Sequence, residues 1–377
     1  MKLRYAYRLR PGAKAKCQLL QDWGCNRWIW NKAVELLKDK GEWLKDSELT
    51  IWRKEFEWLR HGSAAAQQQV LRDFRAKRAE GKGRRTWKSA KKHRPSLNYA
   101  RNGFSLKNGR LRIKGAEIPV VWSRELPSEP TSVRVYRDSI GHWYASFVVQ
   151  CDEEPLIPNP HSIGIDWGVK TTATTTDSEY DLPHSEFGKR GARALARYQR
   201  MMARRAPRPG KCGSKGYRTA RRLTAKQHKK VARQRKDTAR KWAKKIVRDH
   251  GSIAVEDFRP LFLTRSRMAS KAADGAIGMT KRLLIEHAAR AGREVALIPP
   301  AYTTMTCSAC GARAKHPLPL SQRTFVCEYC GHTADRDLNS ARVILARAGF
   351  NPADVDAVRR MDPAEKQNLA LAESGIP

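Results

Sequence analysis

The chain has 377 residues, with 75 Lys+Arg against 37 Asp+Glu and a formal net charge of +38. Hydrophobic residues make up 40%, including 11 Trp, 10 Tyr and 9 Phe, which excludes a wholly disordered basic tail, and the length allows two or three domains. So strong a positive charge implies a polyanion partner, because a compact chain repels itself unless phosphates or counterions offset the charge. A ribosomal or histone-like packaging protein is the simplest such reading, but it does not account for the Trp content or for the cysteine pattern below.

The first strand is expected where Leu3, Tyr5, Tyr7 and Leu9 alternate with Lys2, Arg4, Ala6 and Arg8, and Pro11 ends it. A helix follows, with Leu20, Trp23, Trp30, Val34 and Leu37 at spacings near three and seven. A second helical region carries Ile51, Trp52, Phe56 and Leu59, and a third, AAAQQQVLRDFRAKRA, places Ala66, Val70, Phe74 and Ala76 on one face. The basic stretch from Gly81 is a break. From about residue 97 the period becomes two. In FSLKNGRLRIKG the pair Asn108-Gly109 signals a hairpin, because both residues tolerate positive φ. EIPVVW and VRVYRDSIGHWYASFVVQ add strands, the latter pair turning near Gly141. Residues 1–11 and 97–151 are therefore expected to form a small β-barrel, interrupted by a helical insert over 12–96. The Pro-rich, acidic stretch 152–161 is the expected linker.

From Ile163, IGIDWGVKTTATTTD reads as two adjoining strands. Residues 189–248 then hold 24 Lys/Arg and a single acid, Asp237. Leu195, Leu223, Val231, Trp242 and Ile246 give this block an apolar stripe, so it reads as two long helices joined by PRPGKCGSKG. A charge run is usually a solvated face, but the one-sidedness of this one points to a nucleic-acid contact. Arg204, Arg205, Arg221, Arg222, Lys229 and Lys230 are the candidate contacts. The strand SIAVEDF, a helix over about 272–292 and the strand REVALIPP complete the pattern, and the mildly acidic, Pro-containing tail 350–377 is expected to be loosely ordered. The N-terminus lacks an apolar signal core, and no run approaches about 18 apolar residues, so a cytoplasmic protein is expected.

Eight cysteines are too few for a disulfide scaffold at this length. Cys17, Cys25, Cys151 and Cys212 are scattered and read as buried or inert thiols. Cys307-Ser-Ala-Cys310 and Cys327-Glu-Tyr-Cys330 stand sixteen residues apart. Two such knuckles can bring four thiolates to the corners of a tetrahedron, a closed structural Zn²⁺ site, with Gly311 and Gly331 permitting the tight turns. The alternative is two redox dithiols.

Three carboxylates stand out. Asp166 lies inside the apolar strand Ile163-Gly-Ile-Asp-Trp-Gly, where an ionised side chain is costly unless it is paired or holds metal. Glu256 ends a buried-type strand, and Asp337 begins a helix just after the second knuckle. Singly they read as a turn residue, a salt-bridged strand end and a helix N-cap. Together, in a mixed sheet with its first and fourth strands adjacent and a helix across that edge, they could converge. Three carboxylates could then hold two Mg²⁺ ions roughly 3.5–4 Å apart for phosphodiester hydrolysis.

GIDWGVKTTAT, IAVEDF, TCSAC…CEYCG and DRDLNSARVIL, in this order, resemble the RuvC-type nuclease of the TnpB (OrfB) family of insertion sequences, which is similar to compact type V CRISPR effectors. YRLRP, QQQVLRDFRAK and RVYRDSIGHWYASFVV resemble N-terminal family segments, so the likeness runs to about residue 348. It implies an α/β fold plus a β-barrel: an RNase H-like nuclease domain over 162–302 and 334–349, a zinc ribbon inserted at 303–333, and an N-terminal wedge barrel with a helical recognition insert. It further implies a bound guide RNA, cleavage of double-stranded DNA directed by RNA pairing, and Asp166, Glu256 and Asp337 as the catalytic, Mg²⁺-binding acids. Asp337 is preferred to Asp335 because the family acid lies two residues before an Asn, here Asn339, and Ser340 stands where Ala is usual. Cys307, Cys310, Cys327 and Cys330 match the zinc ligands. A CRISPR-associated effector, a nuclease-silent RNA-guided repressor and a transposase that joins strands itself are the alternatives. Trp28, Trp30, Trp52, Trp87 and Trp122 could stack on unpaired bases, although core packing suits most of them better.

Overall fold

Alternation along β1 (Lys2–Leu9) turns Tyr7 and Leu9 into an interior that six later strands complete. The computed structural model describes residues 1–350 except 40, 42, 80–85, 91, 153, 259–265, 267 and 320, so the expectation for the tail falls outside the described residues, as does most of the basic break from Gly81. Contacts divide the chain into two units, Met1–Asp152 and a second that begins at Glu153.

In the first unit, helices α1 (Ala13–Asp39), α2 (Asp46–Glu55), α3 (Glu57–His61) and α4 (Ala64–Ala79) separate β1 from the remaining strands. These are β2 (Ser96–Ala100), β3 (Phe104–Lys107), β4 (Arg110–Ile113), β5 (Ala116–Val121), β6 (Pro130–Arg137) and β7 (Trp143–Gln150). The seven strands form one antiparallel sheet in the order β2-β6-β7-β1-β5-β4-β3. Its two edge strands are consecutive in the chain, separated only by the short turn Arg101–Gly103. The sheet therefore curls nearly shut. Leu97 and Tyr99 from one edge, and Phe104 and Leu106 from the other, pack into the same core as Phe147. Asn108 and Gly109 make the β3–β4 turn at φ 51° and 70°.

The four helices pack on Ile29, Trp30, Leu59, Leu71 and Phe74. The second helical region is two helices rather than one, because Phe56 is extended at φ −107°. Leaving the helix there lets Trp52, Phe56 and Trp58 surround Trp28 with ring centroids 5.2–5.4 Å away. Trp30 is buried and Trp28 and Trp52 are packed against the same core, whereas Trp87 and Trp122 stay 48% and 37% exposed. Asp22 on α1 is fully buried and accepts from the Tyr99 hydroxyl at 2.9 Å and the Ser63 N–H at 3.1 Å, which ties the helices to the barrel. Cys25 and Cys151 are buried, but Cys17 and Cys212 are exposed, so burial does not describe that pair.

The second unit contains β8 (Ser162–Trp167), β9 (Thr171–Thr175), β10 (Leu182–Pro183), α5 (Phe187–Ala203), α6 (Lys215–Asp249) and β11 (Ser252–Glu256). After these come α7 (Ala269–Gly275), α8 (Ile277–Arg290), β12 (Glu294–Ile298), the hairpin β13 (Thr324–Val326) and β14 (Thr333–Asp335), and α9 (Arg336–Arg347). The sheet order is β10-β9-β8-β11-β12, with β8, β11 and β12 parallel and β9 antiparallel to β8. The helix expected over 272–292 is broken at Ala276, which adopts φ 54°. The break frees α7 to aim the buried Asp274 at the first N–H groups of α5, those of Gly188 and Lys189, and at Arg235 of α6. No helix among the described residues is long and apolar enough to cross a membrane.

Strand alternation gives this sheet two different faces. Ile163, Ile165, Ile253 and Val255 pack against Trp242, Ala243 and Ile246 of α6 and Leu284 and Ala288 of α8. The other face presents Gly164 and Ala254, with Ile344 and Leu345 of α9 upon it. A Cβ at Gly164 would lie 2.2 Å from the carbonyl oxygen of Ala341, so the α9 backbone rests directly on the β8 backbone. We expect Gly164→Ala to lift α9 and cost about 1–3 kcal/mol, read as a lower denaturation midpoint at unchanged m-value. An unshifted midpoint would show that the contact tolerates a methyl group.

Candidate active site and thiolate cluster

The parallel register runs from Ser252↔Ser162 to Val255↔Ile165, so the next residues, Glu256 and Asp166, sit side by side at the C-terminal ends of adjacent strands. Such strand ends are where open α/β sheets receive ligands. Both acids follow Gly164 and Ala254 on the α9 face, and both are buried, at 8% and 6% exposure. The Trp167 indole N–H donates to the Glu256 carbonyl oxygen at 3.1 Å and joins the two strand ends.

Asp337 arrives from α9. The helix N-cap is Asp335, whose carboxylate accepts from the N–H groups of Asp337 and Leu338 at 2.9 and 3.1 Å. The reading of Asp337 as an N-cap is thereby corrected: Asp335 caps, and Asp337 lies in the first turn with its carboxylate free of that task. Arg336 and Arg323 approach it at 3.4 and 3.5 Å.

The electrostatics tie the three acids together. Burial pushes Asp166 well above the usual carboxylate range, and the charges of Glu256 and Asp337 push it further, against the Trp167 amide and the Arg336 guanidinium. Burial raises Glu256 to about 7, opposed by the Trp167 amide and by the Lys281 ammonium. Lys281 itself pairs with Asp257, next to Glu256. The three carboxylates do not all come within 4.8 Å of one another, as the four thiolates do. The set is all oxygen, and two of its members are buried at raised pKa although the buried Arg336 guanidinium and the Lys281 ammonium oppose the shift. It suits a hard divalent cation such as Mg²⁺.

Cys307, Cys310, Cys327 and Cys330 have all four sulfurs within 4.8 Å of one another, with Sγ–Sγ distances of 3.7 Å for Cys307–Cys330 and for Cys310–Cys327. A tetrahedron with metal–sulfur bonds of about 2.3 Å has edges of about 3.8 Å, so the cluster can hold one tetrahedral ion. The knuckles match. Gly311 and Gly331 donate to the Cys307 and Cys327 carbonyls at 3.0 Å, at φ 75° and 71°. The Cys330 and Tyr329 N–H groups help hold the Cys327 thiol down to about 7, whereas Cys330, despite the His332 N–H, is pushed up to about 12 by the sulfurs of Cys310, Cys327 and Cys307 crowded against it. Four sulfurs in one cluster suit a metal better than two separate dithiols.

Of the basic candidates, Arg204 and Arg205 follow α5, and Arg221, Arg222, Lys229 and Lys230 lie on α6. All are exposed except Lys229, which is half-buried, while Ala220 and Thr224 of the same helix are buried. Sequence reasoning passed over Trp167, Lys281, Arg323 and Arg336 beside the acids. Trp167 and Arg336 sat inside motifs already quoted. Lys281 left no signal, because it approaches from α8.

Family profiles match three stretches: "Helix-turn-helix domain" over residues 1–42, "Probable transposase" over 146–260, and "Cas12f1-like, TNB domain" over 278–344. The first of these folds here as β1 and the single 27-residue helix α1. A Streptomyces pristinaespiralis protein described as "Putative RNA-guided DNA endonuclease" is 30% identical over 100% of this chain and 98% of the relative. Escherichia coli (strain K12) has "Putative RNA-guided DNA endonuclease InsQ", 26% identical over 91% of each chain. The fold is similar to that in a Cas12f1–sgRNA–target DNA complex, with TM-score 0.53, 14% identity, and coverage of 90% of this chain and 83% of that one.

A carboxyl with a raised folded pKa binds its proton more tightly in the folded state than in the unfolded one. Stability of the cation-free protein therefore declines as pH rises from 4.5 through about 7. We expect Glu256→Gln, freed of that decline, to melt a few degrees above the cation-free wild type at pH 8, with the gap closing toward pH 4. A variant that melts lower than wild type at pH 8 would contradict the electrostatic assignment.

Proposed function

Because the chain belongs to the TnpB (OrfB) family of transposon-encoded RNA-guided DNA endonucleases, we propose that it binds a guide RNA and hydrolyses phosphodiester bonds in DNA matched to that guide. The observation that carries the reading is the placement of Asp166 and Glu256 side by side, with Asp337 in electrostatic contact with Asp166. On this reading residues 162–302 and 334–349 form an RNase H-like, RuvC-type nuclease around the five-stranded sheet, and residues 303–333 form a zinc ribbon. The strands, taken in chain order as 3-2-1-4-5 with the first three antiparallel, support that assignment.

Asp166, Glu256 and Asp337 would hold two Mg²⁺ ions, which when bound supply an activated water and stabilise the leaving oxygen. The chain's own residues prepare for this. Burial and mutual repulsion leave the acids poised to release protons in exchange for a cation. Trp167 fixes the spacing of the two strand ends, and Lys281 and Arg336 limit the negative charge around them. Cys307, Cys310, Cys327 and Cys330 would hold Zn²⁺ as a structural ion. The exposed cations of α5 and α6 suit a backbone contact with RNA or with a heteroduplex, a shape-and-charge contact without base reading.

The protein copurified with its RNA is expected to cut a guide-matched duplex in Mg²⁺ and to leave a mismatched one intact. Asp166→Ala is expected to bind the matched duplex and cut it at background rate. Binding should weaken by roughly tenfold or more between 50 and 200 mM salt. Matched binding without nicking by the wild type would make the protein an RNA-guided repressor, and cutting indifferent to the guide would make it a generic basic nuclease. Cys310→Ser should lose one equivalent of bound zinc, read by atomic emission.

A further inference from the structure

Asn339 is completely buried on α9, two residues after Asp337, and its amide brackets the first cysteine knuckle. Its Nδ2 donates to the Thr306 carbonyl at 2.8 Å, and its Oδ1 accepts from the Ser308 N–H at 2.9 Å. A carbonyl on one side and an N–H on the other admit only one orientation of the amide. The residue between these two contacts is Cys307, a member of the thiolate cluster. The ribbon reaches the start of the helix as well: the Arg336 N–H donates to the Arg323 carbonyl at 2.7 Å, and Arg323 approaches Asp337.

The ribbon has little to hold it without its metal. Its hairpin strands are three residues each, and its buried cluster is Cys307, Phe325 and Cys327, so two of the three core side chains are themselves candidate ligands. The conformation of Thr306–Ser308 therefore depends on the thiolate site, and the buried Asn339 passes that conformation to α9 through two partly buried hydrogen bonds. At the sheet, α9 rests on Gly164, two residues before Asp166, so a small displacement of the helix is a displacement of Asp337 relative to Asp166.

We propose that Asn339 is a positioning residue through which the metal-loaded knuckle fixes Asp337 beside Asp166 and Glu256, so that the state of the thiolate site sets the divalent-cation affinity of the acids. This rests on the reading of the three acids as cation ligands. The alanine variant leaves the Thr306 carbonyl and the Ser308 N–H without these partners and loosens α9 from the first knuckle, while the Arg336–Arg323 and Arg347–Thr306 hydrogen bonds and every carboxylate and thiolate remain.

The test titrates Mn²⁺ into the full-length, zinc-loaded protein without nucleic acid and reads free Mn²⁺ by electron paramagnetic resonance. Asn339→Ala and Asn339→Leu are expected to keep the cobalt–thiolate absorption of the ribbon in parallel cobalt-substituted samples and, zinc-loaded, to weaken Mn²⁺ binding by roughly tenfold or more. Lys315→Ala, at an exposed ribbon position outside both knuckles, is expected to bind Mn²⁺ as the wild type does. Cys307→Ser is expected to lose at least as much as Asn339→Ala, because it also loosens the Arg323 contacts at the start of α9, and the double variant no more than Cys307→Ser. Wild-type Mn²⁺ affinity in a folded Asn339 variant, or additive losses in the double variant, would overturn the proposal. If neither Asn339 variant folds, chelator-stripped wild type decides: a loss of Mn²⁺ affinity supports the connection, and an unchanged affinity overturns it. Wild-type Mn²⁺ binding that is indifferent to Asp166→Ala sinks the nuclease reading itself, and the proposal with it.

Discussion

Two carboxylates buried side by side at neighbouring strand ends are the constraint around which the second unit is arranged. Burial and like charge both work against ionisation of Asp166 and Glu256, and the surroundings reduce that cost without abolishing it. Trp167 joins the strand ends, Lys281 leans on Glu256, and Arg336 offsets Asp166. The small residues Gly164 and Ala254 on the same face admit α9, which brings the third acid. The opposite face carries the bulky aliphatic side chains, so stability and chemistry are separated by the two-residue period of the strands.

The acids also stand out against a chain whose net charge is +38. The cationic excess is concentrated on α5 and α6, where Asp237 is the single acid between residues 189 and 248. Asp274 anchors this pair of helices by meeting the start of α5 and Arg235 of α6 with one buried carboxylate. Among the described residues of this unit the buried acids are Asp166, Glu256 and Asp274, whereas the cations of α5 and α6 are largely exposed, an arrangement that suits contact with a polyanion.

What was legible in the residues follows a physical pattern. Strands with strict alternation, such as β1 and the β6–β7 hairpin, announced themselves, because each position faces either core or solvent. The thiolate cluster followed from spacing alone, since two knuckles can meet in few ways. The adjacency of Asp166 and Glu256 followed once the first and fourth strands of the sheet were set together. What escaped depends on tertiary partners. Phe56 leaves its helix to pack on Trp28, and Ala276 breaks another so that Asp274 can reach α5. Asp335 and Asp337 are chemically identical two residues apart, and only the backbone shows which of them caps. Asn339 was read as part of a motif, but its hydrogen-bonding partners lie thirty-odd residues away, beyond any local pattern.

The position of α9 in chain order carries a consequence for biogenesis. Every strand of the second sheet precedes the ribbon, and the helix that delivers Asp337 spans Arg336–Arg347. A ribosome that has produced both strand acids has still made only a protein without its third carboxylate. On the proposed nuclease reading, a nascent polypeptide that has not yet passed that helix would lack one of the three acids and so could not cut, even with its barrel folded. Placing the last acid late in the message would then separate assembly from cutting in time.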